Sequence, residues 1–100
     1  MAEEPKAFAL DERLRALAHP VRRQLVADCL GAPRTAGDLV ARCGLAPASV
    51  SEHLKVLRKT GLVTMTVQGT WRLYATDRAR VEEASALLTH FTQSLPEEDR

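Results

Sequence analysis

The chain has 100 residues and a net charge of +1, and 45% of its residues are hydrophobic and 27% charged. This length and composition predict one small globular domain over residues 1–100 and argue against a disordered chain. No run approaches the roughly 20 apolar residues that span a bilayer, and residues 1–6 are acidic and polar, unlike a signal peptide, so we expect a cytoplasmic protein without a membrane partner.

The small net charge conceals a basic middle between two acidic ends. Residues 13–72 contain ten lysines and arginines against three carboxylates, whereas residues 1–12 and 73–100 each carry a net charge of −3. A positive segment of this kind is typical of a surface that binds duplex nucleic acid. A chain this short buries only part of its surface, so a dimer is also plausible.

Two helices are predicted in the first third of the chain. Apolar residues at helical spacing predict the first helix over residues 11–18, and Pro20 must interrupt it. His19 is expected at the start of the second helix, which stops at Gly31. The simplest role for this histidine is that of a turn or capping residue.

The next two helices are separated by a tight turn and form a helix-turn-helix pattern. Thr35 and Asp38 resemble a capping box at the start of the third helix, and Gly44 ends it. The fourth helix begins at Pro47 and stops at Gly61. Its inward face is apolar: Val50, Leu54 and Leu57. Its outward face is small, polar and cationic: Ala48, Ser51, Glu52, Lys55 and Lys59. A second helix with such an outer face is the expected recognition helix.

The residue period then changes from 3.6 to 2. Alternating apolar residues flank Gln68 and Gly69, which predicts a β-hairpin whose tip over residues 68–70 reaches the neighbouring minor groove or backbone of a DNA duplex. A long helix follows over residues 77–95, with an apolar stripe and a stop at Pro96. This stripe has little core left to meet within the chain, so we expect it to pair with a second copy.

These elements and four strings of sequence resemble the ArsR/SmtB family of bacterial transcriptional repressors. The strings are LRALAHPVRRQLV (residues 14–26), GDLVARCGL (37–45), SVSEHLKVLRKTGLV (49–63) and GTWRLYA (69–75). The resemblance implies a winged helix-turn-helix, mainly α with a β-hairpin wing, in the order α-α-α-α-β-β-α. It implies a DNA-binding core and wing over residues 33–75 and a homodimer joined through helices at 8–18 and 77–95. It also implies a repressor that binds double-stranded DNA at a palindromic operator and leaves it when an inducer binds.

The resemblance also assigns residues to these roles. The DNA-binding positions are Ala48, Ser49, Ser51, Glu52, His53, Lys55, Arg58, Gln68 and Arg72. For His53, a half-buried position on the flank of the helix is the alternative to a DNA contact. The dimer-interface positions are Leu14, Leu17, Val81, Ala84, Leu88 and Phe91. Members of the family often have serine or glutamine where this chain has Ala46, Pro47 and Ala48, so the first turn of the recognition helix is poor in hydrogen-bonding groups. Glu52 would then accept from a cytosine amine.

The inducer is the part of the resemblance that the sequence specifies least. The family's thiolate site is absent, because Thr35 and Gly37 stand where cysteines would be. Of its carboxylate and histidine site on the last helix, Asp77 and His90 remain. These two residues, from opposite subunits, would form half of a site for zinc or nickel. The simpler interpretation is that Asp77 caps the last helix and that His90 lies at a surface or interface.

Three alternatives to a metal-responsive repressor follow from the same residues. One is a winged-helix module that binds proteins and not DNA. Another is a thiol-responsive regulator that uses Cys29 and Cys43, which we consider weaker because both lie on apolar stripes without CxxC or CxC spacing. An enzyme is not expected, because no nucleophile, base and orienting partner can be assembled from the few candidate positions and no phosphate-cradling loop is present.

Overall fold

Helices and one β-hairpin follow one another in the predicted order α-α-α-α-β-β-α. The computed structural model describes residues 6–98, with side chains from residue 8; residues 1–5, 99 and 100, which include part of both predicted acidic ends, lie outside the described residues. The elements are α1 (Lys6–Leu17), α2 (Pro20–Gly31), α3 (Ala36–Cys43), α4 (Pro47–Lys59), β1 (Val63–Gln68), β2 (Trp71–Thr76) and α5 (Arg78–Ser94). The fold class predicted from the sequence is confirmed.

The first helix is longer than predicted. It begins at Lys6 and not at residue 11, while its end at Leu17 agrees with the interruption expected from Pro20. The physical reason is that Leu10 shares one helical stripe with Leu14 and Leu17, and all three side chains are half-buried. The apolar residues that precede residue 11 therefore continue the same face.

The core lies between α2, α3, α4 and the start of β1. Its fully enclosed side chains include Leu25, Leu39, Leu57 and Leu62, each 0% exposed. Burial of a leucine of this kind contributes about 1.5–3 kcal/mol to folding. The remaining core members are Ala16, Val26, Cys29, Val50, Leu54 and Val63. The predicted inward face of α4 is confirmed.

Side chains cap the starts of α2 and α3 as the sequence predicts. The Nδ1 atom of His19 accepts from the Val21 amide at 3.2 Å, and Oγ1 of Thr35 accepts from the Asp38 amide at 3.1 Å. The capping box is only half formed, because the Asp38 carboxylate accepts from Arg34 at 3.1 Å and from Arg42 at 3.2 Å. These hydrogen bonds hold the pKa of Asp38 below its usual range, and the bond from Arg34 has the larger effect.

The end of α4 is joined tightly to β1. The amide of Leu62 donates to the Leu57 carbonyl at 3.1 Å, and that of Gly61 donates to the Arg58 carbonyl at 3.0 Å. With Gly61 at φ +80°, this is a Schellman motif. The two leucines that close it are fully buried, so the recognition helix ends in the core and not in a loose loop.

The hairpin is closed by a two-residue turn and joined to the rest of the domain along one edge. Gln68 pairs with Trp71 across the turn, where Gly69 has φ +61°. Arg34 and Tyr74 exchange both backbone hydrogen bonds, at 2.8 and 2.9 Å, so the loop before α3 forms a one-residue β-bridge with β2. Periodicity did not reveal this pairing, because one residue of strand leaves no pattern.

The first half of the last helix is packed against the domain, and its second half is exposed. Its first half packs against the body of the domain, since Ala84 is 0% exposed and Val81 is half-buried against the core. The expectation that the apolar stripe lacks a partner within the chain therefore applies only to its second half. There Leu88, Phe91 and Leu95 are 49–56% exposed. No helix among the described residues combines the length and the apolar composition that crossing a membrane requires.

Candidate nucleic-acid interface

The outward side of α4 is an exposed polar surface. The predicted base-reading and phosphate-binding positions on this helix that are exposed are Ala48, Ser49, Ser51, Glu52, Lys55 and Arg58. They are held outward because Val50, Leu54 and Leu57 fix the opposite face in the core at 0–3% exposure. The helix therefore presents one continuous strip of hydroxyl groups, a carboxylate and cations to solvent.

The first turn of α4 has no side-chain cap. Its N-cap residue is Ala46, whose carbonyl accepts from the amides of Ser49 and Val50 at 3.0 and 3.2 Å. Pro47 has no N–H to satisfy, and within the described residues the Ala48 amide has no hydrogen-bond partner. A free amide at the positive end of a helix dipole is suited to an anionic oxygen such as a DNA phosphate. The bare first turn thus offers backbone donors where side-chain donors are missing.

His53 differs from its neighbours because it is half-buried between α2 and α4. Its ring lies against the His19 ring, with 4.5 Å between centroids, and its Nδ1 is 3.5 Å from Nη1 of Arg22. Since arginine has no acceptor, Nδ1 must be the unprotonated atom. Burial, then His19 and Arg22, lower the pKa of His53, while Glu52 opposes the shift. This atom of the imidazole is therefore engaged inside the protein.

Several arginines of the basic middle hold helix ends and do not extend freely into solvent. Each of the following donates to a carbonyl in the last turn or cap of a helix: Arg13 to Thr60 (3.0 Å), Arg22 to Ala16 (2.6 Å), Arg23 to Leu17 (2.7 Å) and Arg34 to Asp28 (2.7 Å). A cation at the negative end of a helix dipole stabilises the helix. Sequence reasoning counted these arginines toward the DNA-binding surface, and the carbonyl that each one binds is the property that distinguishes them.

Six exposed cations of the basic middle remain after these four arginines are set aside, and two of the six are paired with carboxylates. Arg15 pairs with Glu12, and Arg42 pairs with Asp38 at 3.2 Å. Within the described part of the chain, no ion pair or side-chain hydrogen bond engages the rest, which are Lys55, Arg58, Lys59 and Arg72. Three of them lie on α4 and one on the wing, so the unpaired positive charge is concentrated on the elements predicted to contact DNA.

The two predicted wing residues project from opposite faces of the hairpin. Residues paired across an antiparallel ladder share a face, and successive residues alternate. Gln68 pairs with Trp71 and Val67 pairs with Arg72, so Gln68 and Arg72 point to different sides. Trp71 was not among the predicted site residues, yet it is 63% exposed beside Gln68. Its position next to the turn was the signal available in the sequence.

The predicted metal-binding pair is not brought together within one chain. The Asp77 carboxylate caps α5 by accepting from the Arg80 amide at 3.4 Å and lies 3.6 Å from Nε of Arg80. His90 is exposed on the same helix, about 20 Å further along at 1.5 Å per residue. Over residues 6–98, no three histidine, cysteine, aspartate or glutamate side chains are grouped to hold an ion. One chain alone therefore does not fit a closed zinc or nickel site.

Both cysteines are in settings that disfavour the thiolate. Cys29 is 2% exposed, and burial, together with the nearby Asp28 carboxylate, raises its pKa to about 11. Burial also raises the pKa of the half-buried Cys43 thiol. Because the thiolate is the reactive form, neither residue is poised for redox chemistry at neutral pH.

A helix-turn-helix formed by α3 and α4 and followed by a β-hairpin defines the winged helix-turn-helix class of DNA-binding domain. The sequence model of the helix-turn-helix domain family matches residues 17–66, half of the chain. The chain belongs to the ArsR family of helix-turn-helix transcriptional regulators.

Individual relatives agree with this assignment. The HTH-type transcriptional regulator CmtR of Mycobacterium tuberculosis is 39% identical over 72 residues, which are 72% of this chain and 61% of that protein. The match thus spans less than two thirds of the relative. The crystal structure of a possible transcriptional regulator for arsenical resistance is 32% identical, with a TM-score of 0.73 over 80% of this chain and 83% of that one. The homodimeric winged helix-turn-helix DNA-binding domain of Mb0332 from Mycobacterium bovis shares the fold, with a TM-score of 0.68, 21% identity and coverage of 100% and 98%.

Proposed function

We propose that this ArsR-family regulator is a homodimeric repressor that binds a palindromic operator in double-stranded DNA and is released by an inducer. The observation that carries the proposal is the concentration of unpaired, exposed cations on α4 and the wing. Lys55, Arg58 and Arg72 would bind phosphates on either side of the base-reading strip. A protein-interaction module that avoids DNA would have no need of this arrangement.

In the proposed complex, α4 lies in the major groove. Ser49 and Ser51 donate to or accept from base edges, and Glu52 accepts from the cytosine N4 amine, because a carboxylate cannot pair with the acceptor atoms of guanine. The uncapped first turn places the Ala48 amide against a phosphate. On the wing, Gln68 and Trp71 face one side of the hairpin and Arg72 faces the other, so these residues contact different strands of the duplex.

A single experiment tests DNA recognition. Duplexes of random sequence are selected for binding to the purified protein, and the affinity of the enriched sequences is measured by fluorescence anisotropy. We expect two related half-sites about one helical turn apart, or a multiple of it, as two symmetric recognition helices require. Failure to bind any duplex at low salt refutes the proposal and favours the protein-interaction alternative.

The homodimer is supported by the second half of α5. Leu88, Phe91 and Leu95 form an exposed stripe at spacings of three and four residues, and exposed apolar stripes of this kind mark association surfaces. We expect Phe91→Glu to give a monomer in sedimentation velocity. Gln93→Glu, on the opposite side of the same helix, adds the same charge and should leave the dimer intact. Two dimeric variants would exclude this stripe as the interface.

A zinc or nickel inducer is a separate proposal that rests on the retained spacing of Asp77 and His90. Because these residues lie far apart in one chain, the site requires one residue from each subunit, and it supplies two of the four ligands usual for zinc. Titration of zinc and nickel into chelator-treated dimer, with His90→Ala beside it, tests this. Equal binding by both proteins eliminates the site. A thiol inducer is less favoured, because both cysteine pKa values are raised.

A further inference from the structure

A basic groove lies where α1, the end of α4 and the start of α5 meet. Its volume is about 780 Å³, within the usual range of small-molecule sites. The lining residues in the described part of the chain include six cations and one carboxylate, Glu12. The six cations, called the groove cations below, are Arg13, Arg15, Arg22, Arg58, Lys59 and Arg80. Only Arg58 and Lys59 of these six belong to the unpaired cations on α4 and the wing, and the other four are brought to the groove by α1, α2 and α5.

The groove cations retain donors for a ligand. Arg13 uses Nε for the Thr60 carbonyl and Nη1 for Glu83, which leaves the other N–H groups of its five-donor guanidinium unused. Arg58 and Lys59 have no side-chain partner in the described residues. Three carboxylates that pair with groove cations, Glu12, Glu83 and Asp77, reduce the net charge of the site to +3. An anion would therefore meet an excess of positive charge and unsatisfied donors.

The same groove has an apolar side. Ala16 is buried, Val56 is half-buried, and the Phe8 ring is 52% exposed along its edge. Inorganic anions gain nothing from such a wall, whereas a carboxylate or phosphate attached to a small ring buries apolar surface there. The combination of arginine donors with a phenyl ring and aliphatic groups is typical of sites for organic anions.

We propose that this groove binds a small organic anion, a carboxylate or phosphate monoester on an apolar ring, and that the occupied groove weakens DNA binding. Arg13 donates to the Thr60 carbonyl, and Arg80 lies 3.5 Å from the Gly61 carbonyl, so α1 and α5 each supply a guanidinium to the end of the recognition helix. A bound anion competes with these carbonyls for the guanidinium groups. It also neutralises Arg58, which the proposed function assigns to a DNA phosphate.

Anion binding is tested first without DNA, so that its outcome does not depend on the proposed function. Phenyl phosphate, benzoate and inorganic phosphate are titrated separately into the full chain and followed by amide shifts in ¹H–¹⁵N NMR spectra. We expect saturable shifts at Ala16, Val56 and Thr60, with phenyl phosphate at least about tenfold tighter than inorganic phosphate because its ring is buried. No saturation below about 10 mM, or shifts spread equally over α4 and the wing, overturns the site.

Matched double variants locate the site. Arg15→Gln with Lys59→Gln removes two exposed groove cations and should weaken phenyl phosphate binding at least about tenfold. Lys55→Gln with Arg72→Gln removes the same charge elsewhere and should leave it unchanged. Equal losses in both variants would show general charge attraction and overturn the proposal.

The regulatory part rests on the proposed function and is measured second. Saturating phenyl phosphate should weaken the complex with selected duplex at least about fivefold, and this effect should disappear in the groove variant. Bound anion without any effect on DNA affinity overturns the regulatory part. If the protein binds phenyl phosphate but no duplex, the proposed function fails while the site stands.

Discussion

The number of DNA phosphates that the protein neutralises is open to a quantitative prediction. Counterion release makes log K fall with log salt by about 0.9 per phosphate contact. Four unpaired cations in each chain, Lys55, Arg58, Lys59 and Arg72, give eight per dimer and a slope of about −7. If all ten cations of residues 13–72 contacted DNA, the slope would be about −18.

Removing one of these cations should change the slope by a calculable amount. Lys55→Ala deletes two contacts per dimer, so the slope should become about −5. At 0.15 M salt each contact contributes about 1 kcal/mol of counterion release, and affinity should fall roughly 30-fold on selected and scrambled duplexes alike. The loss should shrink toward zero near 1 M salt, because the released counterions then gain little entropy.

The assay is fluorescence anisotropy with both duplexes across a series of salt concentrations. Arg42→Ala is the matched control, because its guanidinium is exposed on α3 but paired with Asp38 at 3.2 Å. We expect the control to keep the slope of the unmodified protein. An unchanged slope for Lys55→Ala, or a loss confined to the selected duplex, would refute the assignment of Lys55 to a phosphate.

Three further predictions concern stability and reactivity. Gly61→Ala should lower the free energy of unfolding, measured in urea, by more than Gly44→Ala does. Both substitutions impose about 1 kcal/mol of left-handed backbone strain, but only Gly61→Ala places a Cβ atom 1.9 Å from Nη1 of Arg80. Adding Arg80→Ala to both variants should therefore remove the difference. Because the pKa of His53 is lowered in the folded protein, the unfolded chain takes up the proton first as the pH falls. The melting temperature should therefore decrease as the pH drops through 6.5 and level off below the pKa of His53 in the folded protein. His53→Gln should flatten this profile. Iodoacetamide at pH 7.5 should modify Cys43 before Cys29, whose pKa is about 11, with mass spectrometry as the readout; faster labelling of Cys29 would contradict its burial.

Local patterns in the sequence were sufficient to predict the elements. Helical spacing, proline and glycine positions, and the change to alternating residues gave every helix and the hairpin, because these signals depend on neighbours within a few positions. The start of α1 was the exception. Its apolar stripe continues through Leu10, ahead of the predicted start at residue 11.

Most of the parts that sequence reasoning missed depend on contacts between separate elements. Charge counting could not separate Arg13 or Arg34, which hold helix ends, from Lys55, because the carbonyls they meet lie in other elements or beyond a loop. The opposite orientation of Gln68 and Arg72 depends on the register that the two-residue turn sets. The half-buried place of His53 depends on Arg22, 31 residues away in the sequence. Contacts between elements decide the positions of the arginines and of His53, whereas the hairpin register decides the orientation of the two wing residues.

The β-bridge between Arg34 and Tyr74 bears on the distances between the DNA contacts of the protein. Since the same loop leads into α3 and the same strand forms the wing, two backbone hydrogen bonds join the helix-turn-helix directly to the wing. These bonds constrain the distance from the recognition helix to the wing tip within a half-site. In the proposed dimer, we therefore expect an inducer to change the distance between the two DNA-binding units more than the contacts within each unit.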